Sequence, residues 1–310
     1  MRVILRMAIL LSQMRVTTPP SQPSLPTPQE QAMRQMQLSS QIQNGDSHYL
    51  SRAQGRVGDV ASPREIDAAI EAYRVAMGRD KGNVDVRWKY LRATYFKAEY
   101  TGLAESRKTA LYDRAKGVAE EALDLLRTRA GRQLGRDASG LEAQEIATAL
   151  AGDQTAGEAF YWTAVTWGQW ALARGKLKAV QEGAASKIRS DCRIVIGIDS
   201  KLEDGGGYRV LGRLHAVTPK VPLLTPWIDH DEAVANLRKA VAVAPLNFVN
   251  LLFLAEALQE FTGDKAEATR LLGKVVQSPP DPDHLVESLR TQAAARRDLQ
   301  RWRAEEQQGD

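Results

Sequence analysis

The chain has 310 residues, 43% hydrophobic and 26% charged, with 42 Lys and Arg against 38 Asp and Glu for a net charge of +4. This composition excludes a wholly disordered or collagen-like chain, and the balanced charge lacks the concentrated basic stripe of a nucleic-acid binder, so no nucleic-acid partner is expected. A single cysteine, Cys192, excludes an intramolecular disulfide and a Cys-based zinc site, and the four histidines (His48, His215, His230, His284) are too dispersed for a metal-ligand motif.

Residues 1–18 open with MRVILRMAILL: a basic residue, an apolar run and a polar sequel, as in a degenerate secretory signal or anchor. Arg6 breaks the run and no small-x-small cleavage pattern follows, so an unstructured or misassigned start is the competing reading. Residues 19–62 form a Pro/Gln/Ser-rich linker with five of the 13 prolines between positions 19 and 28. Such a segment cannot bury enough apolar area to offset its ordering entropy, and it is expected to be mostly disordered. The folded domain is expected over 63–306.

Within that span the apolar spacing predicts paired helices. Ala69, Tyr73 and Ala76 share one helical face; Trp88, Leu91 and Tyr95 mark a following first helix, with Arg92 where a small residue is expected. Ala119, Leu123 and Leu126 mark its partner. Insertions interrupt the pattern near 128–157, 172–182 and 216–230, the first holding a helical stretch from Leu141 to Leu150 and the last rich in proline. Cys192 and Val195 fit the end of a second helix closing at Asp199-Ser200, with Cys192 buried and inert. Tyr208, Leu211, Gly212 and His215 fill the next first-helix positions. The clearest copy follows over 231–258, where Ala233, Leu237 and Ala240 precede Pro245 and the set Leu251, Leu254, Ala255 and Leu258. Ala268, Leu272 and Val275 complete it before Pro280. Small residues belong where two helices cross closely, and large ones fill the grooves. This is the tetratricopeptide pattern, and it predicts an all-α solenoid of helical hairpins with insertions. Residues 284–304, with Leu285, Leu289, Leu299 and Trp302 on a broad face, predict a C-terminal capping helix.

Three segments go beyond a generic repeat: AFYWTAVTWGQWA at 159–171, DGGGYRVLGRLHAVTP at 204–219 and DEAVANLRKAVAVAPLNFVNLLFLAEAL at 231–258. In this order they resemble the T-component family of TRAP transporters (TatT-like proteins), over about residues 65–280. The resemblance implies a helical, non-catalytic accessory protein, periplasmic or membrane-associated. Its implied partner is a substrate-binding P component, and its implied ligand a small apolar molecule or organic acid. The alternative is a cytoplasmic tetratricopeptide scaffold for protein–protein interaction. A homo-oligomer is compatible with either.

The candidate ligand pocket comprises Tyr161, Trp162, Trp167, Trp170, Tyr208, His215 and Trp227, because five large rings between 160 and 170 offer more apolar area than one helix seam uses. Plain core packing is the competing explanation. Gly205, Gly206 and Gly207 are read as a structural turn permitting positive φ, and Gly212 as a close helix crossing. No strand precedes these glycines, which excludes a dinucleotide-binding loop. Arg209 and Arg213 are candidates for an anion or partner contact, with salt links to Glu203 and Asp204 as the alternative. The basic stretch from Arg174 to Arg193 reads as a solvated face or as a docking site for an acidic partner. No acid–base pair, nucleophile set or cofactor loop assembles, so neither an enzyme, a metal site nor a cofactor is expected.

Overall fold

The computed structural model describes residues 27–309 and contains thirteen α-helices and no β-strand among them. In chain order these are α1 (Pro28–Leu50), α2 (Pro63–Arg79), α3 (Val84–Tyr100), α4 (Glu105–Leu134), α5 (Ala143–Ala149), α6 (Gln154–Arg174) and α7 (Lys176–Gln181). Then come α8 (Ala184–Ile198), α9 (Leu202–Val217), α10 (His230–Val243), α11 (Phe248–Ala257), α12 (Lys265–Gln277) and α13 (Leu285–Gly309). The all-α hairpin architecture predicted from the spacing is the one observed. No helix among the described residues is long and apolar enough to cross a membrane. The signal-like residues 1–18 lie outside the described residues.

One expectation needs correction. Much of the supposed disordered linker is helix α1. Thr27 and Glu30 cap it reciprocally: the Thr27 N–H donates to Glu30 Oε2 at 2.7 Å and the Glu30 N–H to Thr27 Oγ1 at 3.3 Å. Pro28 suits the first helical turn, and the Gln, Met and Ala that follow are good helix formers. Residues 27–37 form one unit and residues 38–309 another; all packing described below lies within the second. There Leu38 and Tyr49 are buried, and Gly45 lets the ring of Tyr73 on α2 lie against the helix. A Cβ at position 45 would meet that ring at 2.5 Å.

The hairpins are set by their caps. Ser62, Asn83, Asp153, Asp229, Asn247 and Asp264 each accept a backbone N–H in the first turn of α2, α3, α6, α10, α11 and α12. Neighbours in sequence then pack as neighbours in space from α2 to α4 and from α8 to α13, while α6 sits against α3, α4, α8 and α9. Gly212 of α9 marks the close crossing expected of it: a Cβ there would stand 2.7 Å from Leu237 and 3.0 Å from the Ala233 carbonyl of α10.

The last helix does more than cap. α13 returns to touch α3, and the loop after α1 binds it. Arg52 is buried and donates Nε to Glu287 at 2.9 Å and Nη2 to the Asp283 carbonyl at 2.6 Å. Arg290 pairs with Asp59 at 2.5 Å. These contacts tie the last helix back to the first hairpins, and a broad cavity open to solvent on one side lies alongside them.

Candidate functional site

That cavity has a volume of about 1650 Å³. Its wall is built where α3 and α6 pack side by side. Tyr95 and Tyr100 of α3 meet at 6.1 Å between ring centroids, Tyr95 meets Trp162 of α6 at 5.7 Å, and Trp162 meets Tyr161 at 5.0 Å. Tyr49 from α1 and Phe96 extend this aromatic wall, and Phe248 and Phe253 of α11 also line the cavity. A tilted or edge-on set of rings leaves faces and edges turned to the interior, a surface suited to apolar groups. At the mouth stand exposed Leu172, Val180, Val217, Leu223, Leu224 and Leu246. Leu223 is 96% exposed, with a φ of +68° that a leucine rarely adopts. Its loop is pinned by Thr225 Oγ1, which donates to the Pro219 carbonyl and accepts from the Val221 N–H.

The polar part of the wall centres on a left-handed turn, Glu203-Asp204-Gly205, whose φ values are 49°, 59° and 76°. Only Gly205 of the three glycines has positive φ, so the turn lies two residues earlier than the glycine run predicts. Gly206 and Gly207 are helical and serve close packing instead: Cβ atoms there would meet Tyr161 at 2.5 Å and Ile196 at 2.8 Å. Arg209 holds the turn. It donates to the Glu203 carbonyl at 3.1 Å, to Asn250 Oδ1 at 3.0 Å and to the Tyr161 hydroxyl at 2.6 Å. Asn250 in turn donates to the Asp204 carbonyl at 2.9 Å. Glu203 is thus fixed beside Glu158 of α6. Burial, and then the Glu203 carboxylate, push the Glu158 carboxyl well above the usual carboxylate range. Burial likewise raises the Tyr161 hydroxyl, which stays protonated.

Of the seven candidate pocket residues, Tyr161 and Trp162 line the cavity. The other five do not. Trp167 and Trp170 are buried in a separate cluster with Tyr112, Ile188 and Cys192. The Trp170 indole donates to Asp113 at 3.0 Å, and Lys116 and Lys187 cover the Trp167 ring. The helical period explains the division: Gly168 and Gln169, seven residues on from Tyr161 and Trp162, return to the cavity wall, whereas Trp167 and Trp170 fall on the other side of α6. His215 and Trp227 pack edge-on to each other at 5.5 Å, with His215 Nδ1 accepting the Asp229 N–H at 3.1 Å. Burial holds the His215 imidazole below its usual value. Tyr208 lies under Lys239 outside the cavity. Arg209 and Arg213 do line it, but neither pairs with the Glu203 or Asp204 side chain; Arg213 pairs with Glu256 at 2.5 Å. Tyr49, Arg92, Tyr95, Glu158 and Glu203 escape the spacing argument. Arg92 alone carried a signal, as a charge at a position that calls for a small side chain. Among the described residues no group of three or more His, Cys, Asp or Glu could hold a metal.

The three segments carrying the family resemblance meet at this cavity: Tyr161 and Trp162 from the first, Arg209 and Arg213 from the second, Asn247 and Phe253 from the third. No family model matches the chain, and no curated protein matches it. Among solved structures, the crystal structure of MamA protein is similar at a TM-score of 0.40 and 15% identity, over 77% of this chain and 90% of that one. The TPR2AB-domain:pHSP90 complex of yeast Sti1 is similar at a TM-score of 0.27 and 14% identity, over 86% of this chain and 97% of that one. The class defined by the helices' own packing is a tetratricopeptide-like all-α protein.

Proposed function

We propose that the protein is a non-catalytic binding scaffold that clasps a segment of a protein partner in this cavity. The observation that carries this reading is size. Small-molecule sites typically occupy about 300–1,000 Å³, and this cavity, at about 1650 Å³, is larger. A ten-residue helix, about 15 Å long and 10–12 Å across, fills roughly 1,200–1,700 Å³. The exposed leucines at the mouth support the same reading, since contiguous exposed apolar groups mark interaction surfaces. To test it, a photo-crosslinking residue replaces Leu246 at the mouth, and another replaces Leu134, which does not line the cavity. In the native cell the first yields a discrete protein adduct that Trp162→Arg abolishes, and the second does not. Crosslinks that carry only a small molecule contradict the proposal.

A second reading rests on the meeting of the three family-like segments at the cavity. In it the chain is a T-component-like accessory that is exported and passes an apolar molecule or organic acid to a substrate-binding protein. A fusion to a reporter active only outside the cytoplasm separates the two. Activity that depends on residues 1–18 favours the transport role; a chain confined to the cytosol removes it.

A further inference from the structure

Three guanidiniums line the cavity, and two are committed. Arg209 spends its donors on Glu203, Asn250 and Tyr161, and Arg213 faces Glu256. Arg92 differs. Its guanidinium lies 3.9 Å from the Tyr49 ring centroid and 4.8 Å from that of Trp88. Among the described residues it makes no hydrogen bond and has no carboxylate within 4.0 Å, and its buried Nε is unpartnered. Stacking on rings orients a guanidinium without consuming its N–H donors, which lie in its plane. A partly buried guanidinium with free donors carries a desolvation cost that an incoming anion relieves.

The neighbourhood selects the anion. The Trp162 indole N–H, on the facing helix, is a second buried donor without a hydrogen bond of good geometry, and the Glu158 carboxyl lies beside it. Arg52 is already matched by Glu287, and Arg209 lies against the turn that carries Glu203. Glu158, held toward its neutral form by burial and by Glu203, adds little negative charge. Lys176 and Lys201 also line the cavity without an ion pair, but both are exposed to solvent; Arg92 is the partly buried cation of the wall that is left without a partner. A single free guanidinium balances one negative charge, whereas a phosphate dianion needs more, and an amine is repelled. The adjoining rings of Tyr95, Tyr49 and Trp162 then call for an apolar body next to the charge.

We propose that Arg92 anchors a ligand carboxylate whose apolar body lies along the aromatic wall of the cavity. The proposal rests on the reading of this cavity as the binding site. Its carboxylate comes either from a protein segment, as an acidic side chain or free C-terminus, or from an organic acid. In both cases the guanidinium donates in its own plane to the carboxylate oxygens, with Tyr49 and Trp88 holding that plane fixed.

The test uses calorimetric titration of the full chain with two pairs of probes. One pair is decanoate and decanamide. The other is a ten-residue apolar helical peptide with a free or an amidated C-terminus. The acid probe of at least one pair binds the wild type more tightly than its amide, and Arg92→Leu weakens it about ten-fold while leaving the amide unchanged. Arg92→Lys, which keeps the charge but not the planar fork, recovers part of the loss. Binding confined to the peptide pair identifies a protein segment as the source, and binding confined to decanoate an organic acid. Equal affinity of acid and amide for the wild type, or of the acid for the wild type and Arg92→Leu, overturns the anchor while leaving the cavity a binding site. Failure of all four probes overturns the cavity reading and the anchor with it. Should Arg92→Leu not fold, Arg92→Gln takes its place, and the acid–amide difference on the wild type remains an independent readout.

Discussion

Helix α6 uses the same kinds of ring for two purposes along its length. Trp167 and Trp170, toward its C-terminal end, are closed in: the Trp170 N–H reaches Asp113, and lysines cover the ring faces. Tyr161 and Trp162, five to nine residues earlier, are also nearly inaccessible, yet they border a large space, and the Trp162 N–H makes no hydrogen bond of good geometry. Burial alone does not distinguish a core ring from a wall ring. What separates them here is what lies against the ring: packed side chains around Trp167 and Trp170, and the cavity beside Tyr161 and Trp162.

The largest effect that can break this contrast comes from truncating one ring of each kind. Trp167→Ala is expected to cost about 3–5 kcal/mol, the range for emptying a packed core site. Trp162→Ala is expected to cost less, about 1–3 kcal/mol, because the ring already borders empty space. Urea unfolding gives both values. Equal costs for the two would erase the difference between wall and core.

The tie between α13 and the first hairpins is the next most exposed feature. Arg52→Ala leaves Glu287 facing the interior without its partner, and breaking such a largely buried pair is expected to cost about 2–4 kcal/mol. The cost should come with faster proteolysis in the 278–284 loop, which joins α12 to α13. Unchanged stability and unchanged cleavage would mean that α13 is a cap laid over the stack and no part of such a tie.

A smaller effect sharpens the closed region itself. Asp191, on α8 in that part of the molecule, is fully buried with neither carboxylate oxygen hydrogen-bonded, and Arg127 is 3.9 Å away. Burial raises its pKa from 3.8 to about 7, against the opposing pull of Arg127 and Lys187. The folded state therefore binds this proton more tightly than the unfolded state. Its contribution is most favourable below about pH 4, is lost as pH rises to about 7, and is level above that. Asp191→Asn should flatten this slope and stabilise the protein at pH 8 by about 1 kcal/mol or more, raising Tm by roughly 2–4 °C per kcal/mol. Thermal melts from pH 4 to pH 8 provide the check, and a variant whose slope matches the wild type would contradict the assignment.

The contrast also accounts for what could be read in advance. Helical periodicity, caps and the small residue at Gly212 specify neighbours along the chain, so the hairpins from α8 to α12 were legible. The return of α13 to the first hairpins was not, because Arg52–Glu287 and Arg290–Asp59 join residues more than 200 positions apart with no shared pattern. Helix α1 was masked by an average: the prolines of its neighbourhood end at Pro28, and Leu38, Gly45 and Tyr49 already fall seven and four apart on one face. In the site, the count of rings on α6 was informative but their direction was not. Five further residues assigned to the pocket belong to the packing around it. Glu158 and Glu203 meet only because three consecutive left-handed residues turn the chain, a conformation that the glycine run located two residues too late.

The central claim is that ligand enters at Tyr161 and Trp162 and never reaches Trp167 and Trp170. Titration with 10-bromodecanoate, whose bromine quenches tryptophan fluorescence only at close range, tests it directly. Saturable quenching should occur in the wild type, fall sharply in Trp162→Phe and persist in Trp170→Phe. Quenching that survives Trp162→Phe and disappears in Trp170→Phe would place the ligand in the cluster described here as closed, and would contradict the account.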